Sequence, residues 1–213
     1  MPPESLSPGE ARQAGLKARL LDRAEELVYR MNERQHWLFR LWDSGNELWA
    51  ALYFRFLRRR AAAFERPVHS RSGVEARLRL LQTEDEEAFA QLLSGLGARY
   101  LPPHPIDRAS ARRALRRRSY LPFGIFVEGR LVGYLLLRLF FPRRAVTGIW
   151  TLPETHNLGL GQESLRHSRA FTRGEDLPDY CTIPVDNENS LRMATAAGFR
   201  ILRTNRRFHV LRH

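Results

Sequence analysis

Leu152-Pro153-Glu154-Thr155-His156-Asn157-Leu158-Gly159-Leu160-Gly161 is the stretch on which the reading of this sequence turns. Before it, Ala145 to Leu152 is largely apolar or β-branched, as a strand is. After it, from about Gly161 to Thr172, the pattern is helical. Two glycines one residue apart, between a strand and a helix, let the backbone approach a ligand closely. Successive amides and the helix N-terminus then point at anionic oxygen. A diphosphate is the ligand this geometry suits best. A bare pair of glycines is also compatible with a simple strand-to-helix turn, so the flanking sequence has to decide.

Working outward, Pro122 to Val127 and Leu131 to Phe140 flank Glu128-Gly129-Arg130, a hairpin turn with glycine where positive φ is needed. Upstream, Glu75 to Leu81 alternates apolar residues with arginine, as a half-buried strand does. Thr83 reads as an N-cap with Glu84 to Glu87 in the first turn, and the helix stops near Gly95 to Gly97. Pro102, Pro103 and Pro105 make a rigid loop, and Asp107 opens a short basic helix to Arg118. Downstream come a strand at Tyr180 to Val185, a helix at Glu188 to Ala197, and closing strands at Phe199 to Thr204 and Phe208 to Leu211. The order is strand, two helices, three strands, helix, strand, helix, two strands. This makes residues 69–213 one α/β domain, a mixed and mostly antiparallel sheet flanked by helices.

Residues 1–68 form a separate N-terminal helical segment. Glu10 to Arg34 carries Leu16, Leu20, Leu27 and Met31 at helical steps. Trp37 to Phe64 is helix-like and aromatic-rich, with a break expected near Ser44-Gly45. A helical hairpin packed on the main domain or on a second copy, as a homodimer, accounts for it; a membrane-surface helix or a nucleic-acid platform are the less favoured readings. Arg66 to Gly73 reads as a linker.

Composition narrows the classes. In 213 residues the formal net charge is +12, and Lys17 is the only lysine. A genome that favours arginine codons explains this, and so does a partner rich in phosphate or carboxylate. Cys181 is the only cysteine, which excludes an internal disulfide, and no Cys/His cluster has metal-ligand spacing, so no metal is expected. No apolar run approaches the roughly 20 residues that span a bilayer. Met1 to Glu10 is not a secretory signal. The cytoplasm is the simplest compartment.

The central stretch resembles the GNAT acetyltransferase superfamily, in which a hydrophobic residue, Pro-Glu, and then R/Q-x-x-G-x-G/A sit between strand and helix. The match is carried by Leu152, Pro153, Glu154, Gly159 and Gly161; His156 stands where the family usually has Arg or Gln. Asn187-Glu188-Asn189-Ser190-Leu191 followed by Gly198-Phe199 resembles the family's N-x-x-A/S and G-F segment, nearest to the branch that acetylates protein N-termini and some antibiotics. The resemblance implies a GNAT fold and acetyl-CoA as co-substrate. It places Leu152, His156, Asn157, Leu158, Gly159, Leu160, Gly161, Gln162 and Asn187 at the cofactor.

The activity it implies is acyl transfer to an amine, on a small molecule or a protein, by direct attack on the thioester. Many members use a tyrosine on the last helix as the acid for the leaving thiolate. The matching position here is Ala194, so Ser190 becomes the catalytic candidate; a serine in a helix's first turn is also ordinary. No general base stands out: Ala145 to Leu152 has no acid or histidine. Cys181 reads as a small buried residue, His104 is a weak candidate, and Tyr100 and Tyr120 read as packing. Two rivals remain open, a catalytically silent GNAT-fold binding protein and a basic nucleic-acid or membrane-surface protein.

Overall fold

A computed structural model of the chain describes residues 36–95, 108–141 and 143–213. The expected helix at Glu10 to Arg34 and the proline loop with Tyr100 and His104 lie outside them. The chain divides into two compact units, Met1–Gly45 and Asn46–His213. Of the first, only the opening of helix α1 (His36–Tyr53) is described.

The second unit carries the rest of α1, then α2 (Leu57–Ala63), β1 (Arg66–His69), β2 (Glu75–Leu80), α3 (Glu86–Gly95), α4 (Arg108–Arg116), β3 (Tyr120–Val127), β4 (Arg130–Phe140), β5 (Arg144–Thr151), α5 (Leu160–Gly174), β6 (Asp179–Pro184), α6 (Glu188–Ala196), β7 (Arg200–Thr204) and β8 (Phe208–Arg212). One eight-stranded sheet runs in the order β1-β2-β3-β4-β5-β6-β8-β7. Every neighbouring pair is antiparallel except β5 with β6. From β2 onward the element order is the one the sequence dictates.

The sheet is covered on both faces, and β4 shows why. Its near-continuous apolar run is what a strand buried on two sides needs. Val132, Leu135, Leu137 and Leu139 join a core with Leu160, Leu165 and Phe171 of α5 and with Ala50, Phe54, Leu57 and Ala61 of the N-terminal helices. Leu131 and Tyr134 join a second core with Phe89, Leu92 and Leu93 of α3 and Ala111 and Leu115 of α4. Helices α3 and α4 are tied by Glu86, whose buried carboxylate accepts from Arg108 at 3.0 Å and from Arg112 at 2.9 Å. These guanidiniums hold its pKa down to about 2.

Three local expectations are corrected. Helix α1 does not break at Ser44-Gly45; the interruption comes at Phe54–Phe56, after which α2 begins. A glycine in an exposed helix costs about 1 kcal/mol, too little to end a helix that is anchored immediately afterwards. The anchor is buried Asn46, which donates to the Leu139 carbonyl at 2.9 Å and accepts from the Phe141 amide at 3.3 Å. Arg66 to Gly73 is not a linker: it forms β1, an edge strand, and the turn into β2. Pro67 is tolerated there because an edge strand leaves one row of amides unpaired. The cap before α3 is Gln82 rather than Thr83: the Asp85 carboxylate, held by Arg79 at 2.7 and 2.8 Å, accepts from the Gln82 amide at 2.8 Å and forms a 3-10 turn first.

Candidate functional site

The parallel pair β5–β6 is where the sheet opens. Only Ala145–Asp179 and Val146–Tyr180 are in register, while β5 continues to Thr151 and β6 to Pro184. Beyond Val146 the facing edges diverge, so the strands form a wedge whose backbone groups have no ladder partner across it. Both strands run the same way, and each leads to a helix: β5 to α5 and β6 to α6. The N-termini of both helices therefore flank the open end of the wedge, where their unsatisfied amides favour negative charge.

The turn from β5 into α5 is built in steps. Leu152 is buried among the side chains of the α3 face. Its amide donates to Val132 at 2.9 Å, and its carbonyl accepts from both the amide and the hydroxyl of Thr155, at 2.9 and 2.7 Å. Leu152 thus anchors the turn. A single 3-10 turn at Pro153–Thr155 follows. The exposed His156 ring lies 3.2 Å from the Thr151 carbonyl, at the end of β5.

Asn157, with φ 63°, and Gly159, with φ 83°, are both in the left-handed region and reverse the chain into α5. Gly159 is the residue before the helix, and Leu160 is fully buried beneath it. Among the described residues, no carbonyl accepts from the amides of Leu158 to Gln162, while Glu163 closes the first helical bond to Gly159 at 3.1 Å. A row of free amides in a left-handed turn suits a diphosphate. Gly161 packs against α6: a Cβ there would lie 2.7 Å from the Met193 sulfur. The Gln162 side chain points back to the Ala196 carbonyl at 3.4 Å.

On the other side of the wedge, Asn187 caps α6, its Oδ1 accepting from the Ser190 amide at 3.1 Å. Ser190 is half-exposed in the first turn, and Ala194 is buried. The helix ends in a Schellman arrangement: Gly198, with φ 95°, donates to Thr195 at 2.9 Å, and Phe199 donates to Ala194 at 3.0 Å.

Two features escape sequence reasoning. One is the β1–β2 turn, which reaches the glycine turn: the Ser72 hydroxyl donates to the Leu158 carbonyl at 3.1 Å. The other is Asp179, at the vertex of the wedge. It is 1 % exposed. Thr147 on β5 donates its hydroxyl to Oδ1 at 2.5 Å, and Oδ2 is buried with no protein partner. Burial pushes the Asp179 pKa up to about 7, against the lowering pull of the Thr147 hydroxyl, the Tyr180 amide and the Arg169 charge. The neighbouring Cys181 thiol is pushed up to about 12 by burial and by that carboxyl, and it is a core residue rather than a nucleophile. An acid at a strand start carries no sequence signal of this kind; its hydroxyl partner lies on another strand.

A measurable pH dependence follows. A carboxyl that titrates higher in the fold than in the unfolded chain binds its proton more tightly when folded. Its contribution is full below the ordinary value near 4, falls as pH rises through the interval to about 7, and is level above that. Asp179→Asn is therefore expected to become more stable relative to the parent by about 1.4 kcal/mol for each pH unit across that window. Urea melts of both proteins between pH 4.5 and 8 measure the difference; parallel profiles would contradict it.

Known proteins share this fold. The model of the Acetyltransferase (GNAT) family matches residues 81–199, more than half of the chain. No curated protein matches it in sequence. The GNAT domain of S. lividans PAT superposes with a TM-score of 0.64 at 15 % identity, covering 71 % of this chain and 97 % of that one. Mycobacterium smegmatis RimJ, in complex with CoA-disulfide, gives 0.56 at 17 % identity, over 70 % of this chain and 85 % of that one. The Microcin C7 self immunity acetyltransferase MccE, in complex with acetyl-CoA and AMP, gives 0.55 at 12 % identity, over 65 % and 91 %. At these identities the likeness shows the fold, an eight-stranded mixed sheet flanked by helices. Taken with the match over residues 81–199, it settles the family: this chain belongs to the GNAT acetyltransferases.

Proposed function

We propose that this chain transfers an acyl group, in the simplest case acetyl, from acetyl-CoA to an amine. The observation that carries this reading is the row of free amides from Leu158 to Gln162, set at the mouth of the β5–β6 wedge. Acetyl-CoA, when bound, supplies the activated acyl group. The amides of Leu158 to Gln162 hold its diphosphate, with Leu152, His156 and Asn157 shaping the turn. The unpaired edges of β5 and β6, together with Asn187, line the arm that carries the thioester.

The attacking amine nitrogen would form a bond to the thioester carbonyl carbon, the carbon–sulfur bond would break with its electron pair leaving on the CoA sulfur, and the proton lost by the amine would pass to water. Backbone donors in the wedge would stabilise the carbonyl oxygen as charge develops there. Ser190, in the first turn of α6, donates a hydrogen bond to the departing sulfur, which matters because free thiols titrate near 8.5. The residue pattern around Asn187 and Ser190 is the basis for reading the acceptor as a protein N-terminus or a small-molecule amine. We place the activity in the cytoplasm, with the part of the chain ahead of β1 as an attachment or homodimer element. No described helix is long and apolar enough to cross a membrane.

Release of free CoA thiol from acetyl-CoA tests the reading, with a panel of acceptors spanning polyamines, aminoglycosides and peptides with free N-termini. Amine-dependent release above hydrolysis is the expected result. Acetyl-CoA binding with no release for any amine would favour a silent binding protein, a reading that draws on the buried Ala194 where an acid is usual in this fold.

A further inference from the structure

We propose that Arg71, at the tip of the β1–β2 hairpin, is a ligand of the CoA diphosphate and closes the open side of the glycine turn; this rests on the reading of that turn as the diphosphate site. The hairpin tip is tightly fixed. The Ser70 amide donates to the Val74 carbonyl at 3.1 Å, the Gly73 amide to the Ser70 carbonyl at 3.1 Å, and the Val74 amide to the Ser70 hydroxyl at 2.9 Å. The hydroxyls of Ser70 and Ser72 are 2.9 Å apart. Gly73, with φ 80°, completes the reversal.

This fixed tip is fastened to the glycine turn by the bond from the Ser72 hydroxyl to the Leu158 carbonyl, at 3.1 Å. Arg71 then stands directly against Gly159. A Cβ built on Gly159 would lie 3.4 Å from the Arg71 amide nitrogen, 3.8 Å from its Cβ and 3.9 Å from its Cγ. The start of the side chain is thus beside the left-handed residue that presents the free amides.

The charge around it is arranged for an anion. The two acids flanking the turn are engaged elsewhere, Glu154 with Arg130 at 3.3 Å and Glu163 with Arg166 at 2.6 Å. Arg71 is exposed, and among the described residues no carboxylate pairs with it. A guanidinium adds a full positive charge and a fork of two parallel donors to what the row of amides offers a phosphate. The family match begins at Leu81, so the hairpin that brings Arg71 in is outside the matched segment.

Calorimetric titration of the full chain tests this, using acetyl-CoA and 3′-dephospho-acetyl-CoA against the parent and Arg71→Ala. The substitution is on an exposed turn, and a matched thermal melt checks the fold. The expected result is a loss of about tenfold in affinity for both ligands alike, with Arg71→Lys intermediate. Unchanged affinity in Arg71→Ala, while the parent binds, would overturn the inference and leave the site intact. A loss confined to the ligand with the 3′-phosphate would overturn the diphosphate assignment. If the parent binds neither ligand, the reading of the turn falls, and this inference with it.

Discussion

Gly159→Val is expected to raise the acetyl-CoA dissociation constant about a hundredfold or more while leaving a folded protein. The position has φ 83°, where a β-branched residue is strained by about 1–2 kcal/mol. Relaxing that strain would turn the amides of Leu160 and Gly161 away from a common centre. The new side chain would also occupy the face from which a diphosphate approaches, wedged 3.4 Å from the Arg71 backbone. Losing two or three charge-assisted hydrogen bonds is enough for the predicted factor. Gly161→Val makes an instructive comparison. Its Cβ would meet the Met193 sulfur at 2.7 Å, and a methionine side chain can move aside, so its effect should be smaller. Calorimetry beside thermal melts separates the two. Equal, near-parental affinities would mean that the turn does not hold the cofactor.

Ser190→Ala should lower kcat by about a hundredfold with little change in acetyl-CoA affinity, the usual cost of removing one donor to developing charge. The cap geometry makes this a clean experiment. Asn187, not Ser190, supplies the capping oxygen, and Ser190 contributes only its backbone amide to that bond at 3.1 Å. Alanine therefore keeps the cap, and stability should change by no more than about 0.5 kcal/mol. Steady-state rates measured with the preferred amine, together with a melt of the same variant, give both numbers. A parental kcat would remove Ser190 from the mechanism and leave amine positioning and backbone donors to account for the rate.

What the sequence made legible is what short-range geometry dictates. Glu128-Gly129 must turn a two-residue hairpin, and both residues take positive φ. The paired glycines Gly159 and Gly161 must shape the turn before α5, and Gly159 takes positive φ. Each follows from the residue's own conformational freedom and its immediate neighbours. The features that stayed hidden depend on register between distant segments. β1 is punctuated like a loop by Pro67, Ser70 and Gly73, and only its pairing with β2 makes it a strand. Asp179 and Thr147 meet because β5 and β6 pair for two residues and then part. Arg71 faces Gly159 only because the hairpin folds over the glycine turn.

The arginine surplus shows the same limit. Arg58 donates to the carbonyls of Leu115, Arg117 and Tyr120, Arg143 to that of Glu175, and Arg169 to that of Ala197. Part of the positive charge is thus spent satisfying backbone at helix and loop ends, where arginine's fork can bridge several oxygens. Composition alone cannot tell those residues from ones held ready for a phosphate.

The turn between β5 and α5 is expected to bind the diphosphate of a CoA thioester for acyl transfer. Native mass spectrometry of the purified full chain with acetyl-CoA tests it most directly. The account predicts one acetyl-CoA per chain, displaced by free CoA and absent in Gly159→Val. No uptake by the parent protein at about 1 mM ligand, or equal uptake by the parent and Gly159→Val, would contradict it.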